Sequence, residues 1–272
     1  MLRIPDLTRI QGIPMEYRPP PSTDDPQSRV LRFVTQLAGV RGFEQYWVQI
    51  HGDSFNRAEK ETILRYCIPP RTQAVVLDAG CGEGRLTFRL AQSYRQVYAL
   101  DVSQQSCKEL QRSAHARGLS NIIAWSQDLL DPLALRHLDT ITLVQVLQHF
   151  DKIPERIRVL RNLGECLAVG GKILVTVFNH DRIWNKLRGL VSEVDKASGY
   201  PYFHYFTAQE LRSLLSAAGF GNIEIRGCIT FPAFLHQRRT GDLVSKLDVS
   251  LSAFPSSRYL GIYLLATAER ME

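Results

Sequence analysis

Residues 75–87 constrain the fold more than any other part of the chain. The stretch opens with the apolar run Val75-Val76-Leu77, which is typical of a strand buried on both faces, and residues 85–94 change to a helical spacing. Between them lie glycines at positions 80, 82 and 84. Because glycine has no Cβ atom, a ligand can approach this backbone, and the N–H groups at the helix start attract a negative group. The pattern predicts a nucleotide-type ligand, although similar turns occur in α/β proteins that bind none.

The spacing of the glycines distinguishes between two kinds of nucleotide ligand. The dinucleotide fingerprint G-x-G-x-x-G would need a glycine at position 85 or 87, where this chain has Arg85 and Thr87. This argues against NAD or FAD. The order acid-x-Gly-x-Gly-x-Gly, formed by Asp78, Gly80, Gly82 and Gly84, resembles the first motif of class I S-adenosylmethionine-dependent methyltransferases.

Strand and helix signals alternate after this loop. We predict strands at about 74–79, 96–101, 121–126, 139–146 and 171–178, with helices at about 85–94, 104–117 and 154–168. Such alternation indicates parallel strands joined by right-handed helical crossovers, hence a doubly wound, Rossmann-like α/β fold with helices on both faces of the sheet. Ligands in this architecture bind at the carboxyl ends of the strands.

Asp101 ends the second predicted strand, 101 − 78 = 23 residues after Asp78. This is near the spacing at which an acidic residue accepts both hydroxyls of a ribose. The alternative is that Asp101 caps the following helix, which Ser103 could do equally well.

The resemblance to the methyltransferases extends over residues 56–268 and implies further roles. It implies that Asp128 accepts from the adenine amino group, that Leu129 packs on the ring, and that Leu147-Gln148-His149 matches a Leu-x-His beside the acceptor. It also implies a seven-stranded sheet with an antiparallel last strand. The implied cofactor is S-adenosylmethionine, converted to S-adenosylhomocysteine with no metal, at a site that includes Asp78, Gly80, Cys81, Gly82, Gly84, Asp101, Val102, Asp128, Leu129 and Gln145. The branch that the chain resembles is methyltransferase type 11, which is similar to quinone-biosynthesis methyltransferases.

We divide the chain into an N-terminal arm and helical cap (1–55) and a methyltransferase domain (56–272). Asn56 and Glu59 have the spacing of a capping box, which predicts a helix start at Asn56. Insertions are expected at about 179–206 and 231–258. The aromatic and histidine residues predicted to bind substrate are Trp47, His149, Trp184, Tyr202, His204 and Tyr205.

The second insertion carries Leu243, Leu247 and Leu251 at helical spacing, with cations nearby. We expect these leucines to pack in the protein interior; contact with a membrane surface or a cover over the pocket are the alternatives.

Composition indicates the cellular compartment but does not identify a binding partner. The formal net charge of +6 and pI near 9.1 are compatible with nucleic acid or an anionic membrane and require neither. The five cysteines are odd in number and widely spaced, which indicates reduced thiols in a cytoplasm. No signal-peptide pattern opens the chain, and no run reaches the roughly 18 apolar residues that a transmembrane helix needs.

The sequence leaves the acceptor and the oligomeric state open. We expect methyl transfer to an oxygen, or to a nitrogen or carbon, of a small-molecule or lipid-like acceptor, with His149 as the first and His204 as the second candidate base. The alternatives are an RNA (tRNA) methyltransferase and a catalytically silent scaffold. No dense basic run supports RNA, and the intact glycine and acid set argues against the scaffold.

Overall fold

The computed structural model describes residues 51–67, 73–187 and 204–271. The predicted substrate residues Trp47 and Tyr202 lie outside these ranges, as does nearly all of the predicted arm and cap.

The described residues alternate between strands and helices, as the sequence predicts. The strands are β1 (Val75–Ala79), β2 (Gln96–Asp101), β3 (Ile122–Ser126), β4 (Leu138–Val144), β5 (Leu167–Phe178), β6 (Phe220–Cys228) and β7 (Tyr263–Arg270). The helices are α1 (Asp53–Cys67), α2 (Thr87–Leu90), α3 (Gln104–Ala116), α4 (Ile153–Cys166), α5 (Ile183–Leu187), α6 (Ala208–Ala217), α7 (Ala233–His236) and α8 (Gly241–Leu251). Short 3₁₀ turns lie at Leu147–His149 and Pro255–Tyr259.

The strands form one seven-stranded sheet in the order β3-β2-β1-β4-β5-β7-β6. Strands β1 to β5 pair in parallel, and β7 runs antiparallel to both β5 and β6. This confirms the predicted Rossmann-like sheet with an antiparallel last strand. The strand order reverses between β1 and β4, so the carboxyl ends of β1, β2 and β4 border the crevice where ligands bind in such sheets.

Apolar side chains alternate between the two faces of the sheet. In β1, Leu77 packs in the cluster that α4 and α6 cover, whereas Val76 packs in the cluster that α1 and α2 cover on the opposite face. Both side chains are fully buried. A strand covered on both faces reads as a continuous apolar run, which explains the sequence of residues 75–77.

Two predicted helices have different bounds in the structure. The helix predicted at about 85–94 is limited to Thr87–Leu90. The helix predicted to start at Asn56 begins at Asp53, so Asn56 and Glu59 lie inside α1 and are buried. The predicted boundary at 55/56 falls within α1, and the division into an arm with a cap and a methyltransferase domain stays a prediction. The last strand begins at Tyr263, after the 3₁₀ turn that starts at Pro255.

The expectation that the leucines of the second insertion pack inside is wrong for two of them. Leu243 and Leu247 are exposed on α8, and its buried residues are Gly241, Ser245 and Asp248. None of the helices in the described part of the chain is long and apolar enough to cross a bilayer.

Candidate active site

The glycine loop lies between the carboxyl ends of β2 and β4. The backbone N–H groups of Gly80 and Cys81 both donate to the carbonyl oxygen of Leu100, at 2.8 and 3.0 Å. On the other side, a Cβ atom at Gly80 would lie 2.1 Å from Cγ2 of Val146, which follows β4. Only glycine allows this approach, because the Val146 side chain occupies the space that a Cβ atom would need. The loop is therefore fixed against both neighbouring strand ends.

Gly82, by contrast, faces open space. Its φ of +52° lies in the left-handed region, and a Cβ atom built there would have no neighbour within 4 Å. Its N–H donates to Oδ2 of Asp101 at 2.9 Å. The open side of Gly82 is where a ligand can reach the loop backbone without meeting a side chain.

Asp101 is the acceptor at the end of β2. Oδ1 accepts from the N–H of Ser103 at 2.9 Å and Oδ2 from that of Gly82, so each oxygen keeps a further lone pair for a ligand hydroxyl. The helix cap is Ser103, whose side chain accepts from the N–H of Ser106, and Asp101 is not needed for that role. Burial raises the pKa of Asp101, and the hydrogen bonds from backbone N–H groups act against this rise.

Val102 extends this surface with an apolar side chain that is 44% exposed. Its carbonyl oxygen accepts from Oγ of Ser126, which joins the ends of β2 and β3. A flat apolar group, such as an adenine ring, could cover the Val102 side chain.

Asp78 is an internal support of the loop. Its carboxylate accepts from the hydroxyls of Thr87 and Thr142 at 2.6 and 2.8 Å, which ties β1 to α2 and to β4. Burial raises its pKa, and the two hydroxyls oppose that rise. A direct contact of Asp78 with a cofactor stays a prediction.

Asp128 and Leu129 follow β3. Oδ1 of Asp128 accepts from the N–H of Leu130 at 2.9 Å, and the residue is only half-buried, so its carboxylate also has room for a ligand. Leu129 is buried in the core cluster between the sheet and α4. Its side chain packs the core, and its predicted contact with an adenine ring stays untested.

Gln145 comes directly after β4 in a left-handed conformation, with φ of 62°. Its Nε2 lies 3.3 Å from Oε1 of Glu59, and its Oε1 accepts from Nε2 of Gln148 at 3.2 Å. Glu59 in turn forms an ion pair of 2.6 Å with Arg85, whose guanidinium also donates to Oδ1 of Asn56. This network connects α1, the end of the glycine loop and the end of β4.

Sequence reasoning missed the roles of Asn56, Glu59 and Arg85. The one available signal was the amide and the carboxylate of the predicted capping box, but their partner Arg85 follows 29 residues after Asn56 and 26 residues after Glu59. The Glu59 side chain is fully buried, so its charge requires Arg85 nearby.

His204 and Tyr205 are held against the strand ends by the backbone. The N–H of His204 donates to the carbonyl oxygen of Gln148 at 3.0 Å, next to His149 in the turn after β4. Tyr205 stacks on Phe178 at the end of β5, with ring centroids 5.2 Å apart, and burial raises its pKa. His149 is half-buried. Trp184 lies exposed on α5, six residues after the end of β5 at Phe178.

The His204 ring is paired with a carboxylate that the sequence did not nominate. Nε2 of His204 lies 2.7 Å from Oε1 of Glu210, and the same oxygen accepts from Nη1 of the buried Arg156 at 3.1 Å. Because a carboxylate only accepts, this contact assigns the hydrogen of a neutral imidazole to Nε2 and its basic lone pair to Nδ1. Within the part of the chain that the structure describes, Nδ1 is buried and has no hydrogen-bond partner.

Cys81 differs from the other loop residues in its chemistry. All five cysteines are free and buried. The neighbouring Cys107 thiol on α3 and burial both raise the pKa of Cys81. At neutral pH Cys81 is therefore a thiol that packs beneath the loop.

These residues fit the nucleoside part of S-adenosylmethionine. Asp101 offers two acceptor oxygens suited to two ribose hydroxyls, Gly82 leaves the loop backbone open, and Val102 presents an apolar surface beside them. Among the described residues, no group of three or more histidine, cysteine, aspartate or glutamate side chains is arranged to hold a metal ion.

The sheet order and the loop geometry together define a methyltransferase fold of the Rossmann-like kind. The family described as "Methyltransferase domain" matches residues 51–225, more than half of the chain. The chain belongs to this family of S-adenosylmethionine-dependent methyltransferases.

Individual relatives are distant. The chain is 26% identical over 186 residues to the "Ubiquinone biosynthesis O-methyltransferase" of Idiomarina loihiensis, a match that covers 65% of this chain and 71% of the relative. Among solved structures, an S-adenosylmethionine-dependent methyltransferase from Clostridium acetobutylicum has a TM-score of 0.61 at 13% identity, covering 84% of this chain and 97% of that one. The N-methyltransferase NodS of Bradyrhizobium japonicum, in complex with S-adenosyl-L-homocysteine, has a TM-score of 0.56 at 17% identity, covering 80% and 88%.

Proposed function

We propose that this methyltransferase transfers the methyl group to an oxygen of a small-molecule or lipid-like acceptor. The observation that carries the proposal is the His204–Glu210 pair, which provides a base next to the turn after β4. The names of the relatives, which include ubiquinone biosynthesis O-methyltransferases, support an oxygen acceptor.

The cofactor supplies an electrophilic methyl group on a sulfonium, and its departure leaves a neutral thioether, so the transfer itself needs no metal. The protein has to hold the cofactor and the acceptor in line, and orientation contributes up to about 7–11 kcal/mol in well-aligned systems. We assign Asp101 to the ribose hydroxyls and the open backbone at Gly82 to the approach of the cofactor. Gln145, held by Glu59 and Gln148, keeps the end of β4 in place beside them.

His204 acts on the acceptor in this proposal. The proton of the acceptor hydroxyl passes to Nδ1 as the oxygen forms its bond to the methyl carbon; Nδ1 is buried in the structure, so this step requires it to become accessible to the acceptor. Glu210 keeps the imidazole in the required tautomer and stabilises the positive charge that the ring gains. Arg156 shares the same carboxylate oxygen, which holds Glu210 in position.

A test compares the two histidines that the sequence nominated. Radiolabelled methyl transfer from S-adenosylmethionine into a host-cell extract is followed by partition between organic solvent and nuclease-sensitive polymer. Label in the organic phase supports the small-molecule acceptor, and label lost on nuclease treatment replaces it with RNA. With the acceptor in hand, H204Q should lower kcat by about a hundredfold or more, with cofactor affinity unchanged, because a general base contributes about 10²–10⁴-fold.

The matched variant is H149Q, in the turn to which His204 is bonded. A larger loss of kcat in H149Q than in H204Q would move the base to His149, the first candidate of the sequence. Full kcat in both variants would refute general-base catalysis by histidine here.

A further inference from the structure

Helix α8 turns polar residues toward the protein interior and leucines toward the outside, the reverse of an ordinary surface helix. Its inward side consists of Gly241, Ser245 and Asp248, all buried, and the cap residue Ser252 continues that side. Its outward side carries Leu243, which is 60% exposed, and Leu247, which is 44% exposed. Phe254, one turn beyond, is 59% exposed. A surface helix normally turns its apolar stripe to the core, so the outer leucines need another explanation.

The polar side is held inward by specific contacts. Oδ1 of Asp248 accepts from the N–H groups of Thr230 and Phe231 at 2.6 and 3.2 Å, and its Oδ2 lies 2.8 Å from Nε2 of the buried His236. At the start of the helix, a Cβ atom on Gly241 would lie 2.3 Å from the carbonyl oxygen of His236.

The C-terminal part of α8 is fixed to α1. The carbonyl oxygens of Val249 and Ser252 accept from Arg65 and from the hydroxyl of Tyr66, at 2.8 and 3.0 Å. Rotating α8 to bury its leucines would break these bonds and bring the Asp248 carboxylate to the surface. The outward direction of Leu243 and Leu247 is therefore built into the fold.

Cations accompany the exposed leucines. Lys246 is exposed between Leu243 and Leu247 on the helix, and Arg238 and Arg239 are exposed just before it. The exposed acid on the first turn, Asp242, is paired with Arg57. The chain as a whole has a formal net charge of +6.

We propose that the outer side of α8, formed by Leu243, Lys246, Leu247 and Phe254 with Arg238 and Arg239, binds the surface of an anionic lipid bilayer. An apolar stripe flanked by cations matches the boundary between acyl chains and anionic headgroups, where leucine and phenylalanine enter and lysine and arginine stay at the headgroups. This binding goes beyond methyl transfer and does not depend on the acceptor proposed above.

The test is co-sedimentation of the full chain with vesicles of phosphatidylcholine, with and without phosphatidylglycerol. The wild type should sediment with the phosphatidylglycerol vesicles, and L243E/L247E should lower the partition coefficient about tenfold or more. The matched control is V169E/I123E, which places two glutamates at residues that are 66% and 51% exposed elsewhere on the surface. This control should bind as the wild type does. Circular dichroism checks that both variants remain folded.

Charge is tested separately. R239Q/K246Q should reduce binding to the anionic vesicles and make it less sensitive to added salt, because exposed charges are screened within a Debye length. The proposal is overturned if the wild type binds neither kind of vesicle, or if L243E/L247E binds as tightly as the wild type. A wild type that sediments as a dimer without vesicles, and as a monomer after L243E/L247E, would also overturn it and make this side an interface between two copies.

Discussion

Replacing Gly82 with alanine should weaken cofactor binding far more than it weakens the fold. Gly82 has φ of +52°, where an L-residue costs roughly 1–2 kcal/mol, but its new Cβ would meet no protein atom within 4 Å. The cost to stability is therefore the backbone term alone. The same Cβ, however, enters the open side of the loop that we assign to the cofactor.

Gly118 provides the matched control. It has φ of +68° in the turn after α3, and a Cβ there would also have no neighbour within 4 Å. G82A and G118A should lose the same free energy of unfolding, about 1–2 kcal/mol, by urea denaturation. Calorimetry with S-adenosylhomocysteine should show affinity at least about tenfold lower in G82A, about 1.4 kcal/mol, and unchanged in G118A.

Gly80 separates the effect of strain from that of contact. Its φ is +76°, and its Cβ would lie 2.1 Å from Cγ2 of Val146, so G80A should lose about 1–3 kcal/mol more stability than G82A through overpacking. G80A/V146A should recover part of that loss. If G82A binds S-adenosylhomocysteine as tightly as G118A does, the cofactor does not approach Gly82 and the assignment of the loop fails.

Three further perturbations test other parts of the structure. Burial raises the pKa of Asp101 above the ordinary 3.8, and only the ionised carboxylate accepts two hydroxyls. Calorimetry should therefore show that the affinity of the wild type for S-adenosylhomocysteine falls as the pH drops through that pKa. D101N should bind S-adenosylhomocysteine about tenfold or more weakly, and its affinity should not fall further in acid. R85M leaves the buried Glu59 carboxylate without its guanidinium partner and should lower the free energy of unfolding by about 3–5 kcal/mol. E59M/R85M removes both charges and should lower the free energy of unfolding by less. An equal or larger loss in the double variant would contradict the pairing. T207A should cost about 1 kcal/mol in urea because Thr207 Oγ1 accepts from the N–H of Glu210, and T240A, whose side chain makes no cap hydrogen bond, should cost nothing measurable.

Local patterns in the sequence were sufficient to predict the alternating strands and helices that follow residue 74 and the glycine turn among them, whereas cofactor binding by that turn stays a prediction. The apolar run at residues 75–77 and the spacing of the glycines are recognisable from neighbouring residues alone, although the folded loop is held by Leu100 and Val146. The Thr207 cap is local in the same way, because its hydrogen-bond partner lies three residues away. The strand order was predicted by the resemblance to the methyltransferases, and the structure confirms it.

Contacts between distant residues account for the wrong predictions. Asn56 and Glu59 have the spacing of a capping box, but both side chains turn inward because their oxygens accept hydrogen bonds from the Arg85 guanidinium. Leu243 and Leu247 have the spacing of a core stripe, yet Asp248 fixes the opposite side of α8 inward through backbone groups at Thr230 and Phe231. In both cases a tertiary partner of a polar side chain overrides the local pattern.

The acceptor side of the site depends on this kind of long-range contact. Glu210 has the position of a capping-box acid after Thr207, but its carboxylate binds Arg156 and His204 instead of the helix start. One oxygen thereby links the packing of α4 against α6 to the orientation of the proposed base. A change at Glu210 should therefore alter stability and kcat together, whereas H204Q should lower kcat with a smaller loss of stability because the Glu210–Arg156 ion pair remains. The proposed base therefore depends on residues from α4 and α6 that no contiguous motif contains, whereas the glycine loop assigned to the cofactor is one contiguous motif.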